Sequence, residues 1–129
     1  MTIADLCLLG TVLLILVSVM PGKIDGRRDY ANANPRDPAF YTPGLRVRAL
    51  GAHQNGYKAL PFFAAAVLLA EMRAVPQGTL NALAIAFLLA RIGYVGCYLG
   101  NRPSWRSALW ALAFACNLAI FLLPAFARS

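Results

Sequence analysis

Long apolar stretches separated by short polar ones dominate the chain, and they constrain its fold more than any other feature. A bilayer core needs about 20 predominantly apolar residues per helix. Four stretches answer to that, at residues 3–21, 45–71, 80–99 and 104–126. Only 13% of the 129 residues are charged and 60% are hydrophobic. A soluble domain carries roughly 25% charged residues, so too little polar surface exists to cover a globule in water. The pattern predicts an all-α integral membrane four-helix bundle forming a single domain over residues 1–129. Pro21-Gly22 is expected to close the first helix. Pro76-Gln77-Gly78 reads as a turn, Thr79 as the cap of the third helix, Gly100 as its end and Pro103-Ser104 as the start of the fourth. The two later links are short, so the helices they join run antiparallel. The first stretch has Asp5 as its only early charge and no A-x-A-like site before Lys23, and it reads as a retained span.

Twelve Lys and Arg face five Asp and Glu, giving a net charge of +7. The cations are not gathered on a soluble amphipathic element, which argues against nucleic acid and for anionic lipid or an anionic small molecule. Lys23, Arg27, Arg28 and Arg36 follow the first stretch, with Arg46 and Arg48 just beyond. Arg102 and Arg106 follow the third, while the other side holds only Arg73 and Arg128. Positive charge marks the cytoplasmic side, so loops one and three are expected there, with both termini outside. Cys7, Cys97 and Cys116 lie in apolar runs without C-x-x-C spacing and read as free thiols. With His53 as the single histidine, no metal or haem is expected.

The second stretch is divided. Its first half carries Arg46, Arg48, His53, Gln54, Asn55, Tyr57 and Lys58, whereas residues 59–70 have no polar side chain. Helical spacing sets Arg48, Asn55 and Lys58 on one stripe and His53 and Tyr57 on an adjoining one. Arg91, Tyr94 and Tyr98 share a face of the third helix, and Asn117 lies nearly three turns after Arg106 on the fourth. A cation at the centre of a lipid-facing helix costs about 2.5–3.5 kcal/mol on insertion scales, so such residues turn toward protein or water. Their convergence at one level describes a site for an anion. Taken singly, Arg46, Arg48 and Arg106 also suit snorkelling to the headgroups, and Trp105 and Trp110 suit an interfacial belt. No acidic residue lies inside a span, which argues against proton-coupled cation export of the small multidrug transporter kind. Guanidinium forks pair with carboxylates, and nearby cations favour a thiolate.

The run Arg48-Ala49-Leu50-Gly51-Ala52-His53-Gln54-Asn55-Gly56-Tyr57-Lys58-Ala59-Leu60-Pro61 resembles the second-helix signature of MAPEG proteins, the membrane-associated proteins in eicosanoid and glutathione metabolism. Ala90-Arg91-Ile92-Gly93-Tyr94, then Tyr98-Leu99-Gly100 and Arg102-Pro103-Ser104-Trp105-Arg106-Ser107, resemble the end of their third helix and the start of their fourth. The first loop, Tyr30-Ala31-Asn32-Ala33-Asn34-Pro35-Arg36-Asp37-Pro38, resembles that of bacterial members and points away from the eicosanoid branch. The resemblance implies a homotrimer in a bacterial inner membrane, with glutathione bound between subunits near the cytoplasmic side as co-substrate. It implies Asn55, Arg91, Tyr94 and Tyr98 as glutathione contacts, Arg106 with Ser107 beside it as the arginine that activates the thiol, and His53 or Gln54 as reaching a neighbouring subunit's ligand.

Two departures stand out: members usually carry Glu where this chain has Lys58, and many carry Arg where Gly51 stands. The expected function is that of a glutathione-dependent transferase or peroxidase acting on a lipophilic electrophile or hydroperoxide, with Arg48, Lys58 and Arg91 clamping carboxylates. The alternative is a non-catalytic protein of the same fold that binds an anionic lipid or a partner through the same basic cleft.

Overall fold

The computed structural model describes residues 1–30, 32–35, 37–41 and 44–127, and all of its regular structure is helical. Helix α1 spans Ile3–Ser18, α2 Met20–Asp25, α3 Gly44–Met72, α4 Gln77–Leu99 and α5 Pro103–Ala127, with one 3₁₀ turn at Pro38–Tyr41. Arg36 and Arg128, both counted in the charge asymmetry, lie outside the described residues.

Local chemistry sets the helix ends. At the start of α1 the Thr2 hydroxyl accepts from the Asp5 backbone N–H, and the Asp5 carboxylate accepts from the Thr2 N–H, a capping box. Pro21 does not close the first helix, contrary to expectation. The chain breaks at Val19 and resumes as α2 with Pro21 in its first turn, where no N–H is needed. Thr79 does not cap α4 either: the helix begins at Gln77, two residues earlier, directly after the φ-fixed Pro76. Gly100 caps the other end as expected, but the left-handed residue that turns the chain is Asn101, at φ 57°. The Arg102 N–H then reaches the Cys97 carbonyl and the Asn101 N–H that of Tyr98, a Schellman closure. α5 starts at Pro103, as the sequence indicates.

Among the described residues three segments are long and apolar enough to cross a membrane: Ile3–Asp25 (α1 with α2), Gln77–Leu99 and Pro103–Phe126. The second of the four expected stretches forms the longest helix, 29 residues of α3, yet it is not among them. The polar side chains of its first half lower its apolarity, while its length, roughly 44 Å at 1.5 Å per residue, exceeds the hydrocarbon thickness.

The core occupies the apolar half of the bundle. Phe63, Ala66, Val67 and Ala70 of α3 meet Leu80, Ala84 and Phe87 of α4, with Ala4 and Cys7 of α1 and Ala113 and Ile120 of α5 around them. Phe63 and Phe87 stack with centroids 3.9 Å apart. Small residues let the backbones close up: a Cβ on Gly56 would lie 2.6 Å from Ile15 Cγ1, so α1 and α3 cross at a point only glycine permits.

Polar groups stitch each end. At one, the Thr2 hydroxyl donates to Glu71 Oε1 at 2.6 Å, and Asn81 Oδ1 accepts from the Ala4 N–H at 3.2 Å and from Gln77 Nε2 at 2.7 Å. At the other, Arg46 forms ion pairs with Asp25 (3.4 Å) and Asp29 (3.1 Å) and lies over the Phe40 ring at 4.8 Å. Arg46 therefore clamps the first loop onto α3.

Replacing Phe63 by Ala is expected to cost about 3–5 kcal/mol, read as a lowered unfolding midpoint in detergent, whereas replacing the exposed Leu89 by Ala should leave that midpoint within error.

Candidate functional site

Three helices meeting above the apolar core build the site. Arg91, only 3% exposed, stands on the inner face of α4 and donates from Nη1 to Asn55 Oδ1 of α3 at 2.8 Å. Its guanidinium lies 4.3 Å from the Tyr94 ring centroid. Tyr94 meets Tyr98 edge-on at 5.8 Å, and the Arg106 guanidinium of α5 lies over the Tyr98 ring at 4.7 Å. Arg91, Tyr94, Tyr98 and Arg106 thus form a continuous ladder of cation and phenol across α4 and α5, each contact favoured by the negative face of the ring.

Two hollows open on this ladder. One, a cavity of about 240 Å³ between α3, α4 and α5, is lined by Asn55, Lys58, Arg91 and Asn117 on its polar side, and by Phe62, Phe87, Phe114 and Trp110 on its apolar side. The other, about 280 Å³, is lined by Tyr94, Tyr98, Arg106 and Ser107 and shares Trp110 with the first. The structure therefore brings together Asn55, Lys58 and Arg91 in one hollow and Tyr94, Tyr98, Arg106 and Ser107 in its neighbour.

The remaining sequence-derived candidates sit elsewhere. Arg48 donates from Nε to the Leu99 carbonyl at 3.2 Å, closing the C-terminus of α4, and lines neither hollow. His53 pairs its Nδ1 with the Ile15 carbonyl at 2.7 Å and meets the Tyr57 ring edge-on at 4.9 Å. With Gln54 it faces a third cavity, about 620 Å³, bounded by Leu16 and Met20 on one side and by Pro38 and Tyr41 of the first loop. Among the described residues no group of three or more His, Cys, Asp or Glu could hold a metal ion.

Gly51 has a steric role. A Cβ there would collide with the Tyr98 hydroxyl, so the missing side chain is what lets that phenol lie against α3 beneath Arg106. An arginine at this position is incompatible with the observed Tyr98 placement.

The aromatic wall went unread in the sequence. Trp110, assigned there to an interfacial belt, separates the two hollows and stacks on Phe114 at 5.4 Å. The available signal was the spacing of Arg106, Trp110, Phe114 and Asn117, which a helical repeat places along one side of α5. Phe62 and Phe87 carried the same kind of signal: Lys58 lies four residues before Phe62 and Arg91 four residues after Phe87, on the same helix faces.

Residues 3–126, nearly the whole chain, match the model of the MAPEG family. No curated protein and no solved structure matches.

Replacing Asn55 by Leu removes the one hydrogen bond between α3 and the buried Arg91. The expected cost is about 1.5–3 kcal/mol, as for other hydrogen bonds to charged groups. The double replacement Asn55→Leu with Arg91→Leu should recover most of the lost unfolding midpoint, a coupling that a double-mutant cycle in detergent reads directly.

Proposed function

The chain belongs to the MAPEG family, and from that membership we propose that it is a membrane-embedded glutathione-dependent transferase or peroxidase acting on a lipophilic electrophile or hydroperoxide. The observation that carries the reading is the ladder Arg91–Tyr94–Tyr98–Arg106, which lines two adjoining hollows with cations and phenols beside an aromatic wall.

Glutathione offers two carboxylates, an ammonium and a thiol, and most of these find complements here. Arg91 and Lys58 answer carboxylates, Asn55, Tyr94 and Tyr98 orient the peptide, and Ser107 offers a hydroxyl beside Arg106. The chemistry that glutathione supplies when bound is that of a thiol whose anion is the nucleophile. Arg106 favours the anionic form of that sulfur by its positive charge, since a neighbouring cation lowers a thiol's pKa from its usual value near 8.5. Phe62, Phe114 and Trp110 give a lipophilic co-substrate an apolar surface and keep water from it.

Assembly as a homotrimer belongs to the same reading. His53 and Gln54 look into a different hollow from Asn55 and Lys58, so both sets reach one ligand only where two protomers meet. The Lys and Arg asymmetry supports loops one and three on the cytoplasmic side with both termini outside, and the resemblance of the first loop to that of bacterial members supports a bacterial inner membrane.

One observation favours a second reading. No carboxylate lines any of the three hollows, and a basic, acid-free cleft also suits a non-catalytic member that holds an anionic lipid. The two readings part at Arg106. Titration of the detergent-solubilised chain with millimolar glutathione, followed by calorimetry and by the ultraviolet thiolate difference signal, is expected to saturate, and Arg106→Ala is expected to abolish the thiolate signal. Absence of binding at that concentration would overturn the enzymatic reading.

A further inference from the structure

The cavity between α3, α4 and α5 holds an unusual balance of charge. Arg91 is buried there with an asparagine and a phenol ring as its neighbours and no ion-pair partner among the described residues, and Lys58 lines the same cavity. Buried charges are ordinarily paired, so the cavity is complementary to an anion. No acid of this protomer supplies the balance, because all five of its acidic side chains are engaged elsewhere. Asp5 and Glu71 bond with Thr2 at the far end of the bundle, Asp25 and Asp29 hold Arg46, and Asp37 accepts from the Ala39 backbone in the first loop.

A second atom narrows the occupant. Asn117 is 2% exposed, lines this cavity, and its Oδ1 has no hydrogen-bond partner. An orphaned buried acceptor is costly, so a fitting occupant brings a neutral N–H or O–H donor to it. An ammonium is a donor too, but here it would sit beside Lys58 and Arg91 with no carboxylate of the protein to pair with it.

Resting on the glutathione-type reading above, we infer that the thiol co-substrate this cleft prefers is a peptide thiol whose amine is acylated: carboxylates for Lys58 and Arg91, and an amide N–H in place of an ammonium for Asn117 Oδ1. Acylation removes the one group of glutathione that the cavity repels and keeps a donor at the same nitrogen. The apolar wall of Phe62, Phe87 and Phe114 accommodates the acyl group. Lys58 is then the residue that sets the preference, and it is exposed at the surface of the single chain, so replacing it leaves the packed core untouched.

The test compares glutathione with N-acetylglutathione by calorimetry on the full detergent-solubilised chain. The acetylated thiol is expected to bind at least about tenfold more tightly, a ratio equivalent to 1.4 kcal/mol. Lys58→Glu is expected to reverse the order, and Asn117→Leu to narrow the ratio by weakening the acetylated thiol alone. Equal affinities, or tighter binding of free-amine glutathione, would overturn the inference while leaving the glutathione-dependent reading intact. An unchanged ratio in Lys58→Glu would overturn the role given to Lys58. Failure of both thiols to bind would overturn the enzymatic reading and the inference with it.

Discussion

A guanidinium buried among membrane helices has to be answered by protein, and in this chain Arg91 is answered by Asn55 across the α3–α4 contact and by the Tyr94 ring on its own helix. Much of the upper bundle follows from that requirement. α3 must carry polar side chains well into its length to meet Arg91, and so the longest helix of the bundle is not a uniformly apolar span. The ladder then extends through Tyr98 to Arg106, and Tyr98 can take its place because Gly51 leaves room for its hydroxyl.

The bundle separates its tasks along its length. Apolar stacking, centred on Phe63 and Phe87, fills the half where α3 has no polar side chain. Hydrogen bonds among Thr2, Glu71, Gln77 and Asn81 close one end, and Arg46 with Asp25 and Asp29 ties down the first loop at the other. In lipid the helices gain little from apolar burial against one another, so close backbone approach and interhelical hydrogen bonds hold them. Gly56 against Ile15, and Arg48 closing the last carbonyl of α4, are the corresponding devices beside the site. Each also fixes a helix that presents side chains to the hollows within two turns.

The charge of the cleft is one-sided. The cavity shared by Lys58, Arg91 and Asn117 has cations and amides on its polar side but no acid among the described residues. Each of the five Asp and Glu side chains has a structural partner remote from it. The chain therefore concentrates positive charge at one level while its few acids serve as caps and loop clamps.

The amino-acid sequence by itself determined that the chain is helical and membrane-embedded. Backbone groups in lipid must be satisfied within a helix or a closed barrel, and continuous apolar runs of bilayer length lack the alternation that a barrel strand requires. It also determined that Arg91, Tyr94 and Tyr98 share a face, since that follows from the helical repeat alone. The sequence could not tell apart cations of the same kind. Arg46, Arg48, Arg91 and Arg106 look alike in it, yet one clamps a loop, one closes a helix, one is buried against Asn55 and one caps an aromatic ring. Nor could it show that Trp110 divides two hollows or that Asn117 holds an acceptor without a donor. Those facts depend on how α3, α4 and α5 are rotated and how closely they approach one another. Packing across helices sets these quantities, and no periodicity within a single helix encodes them.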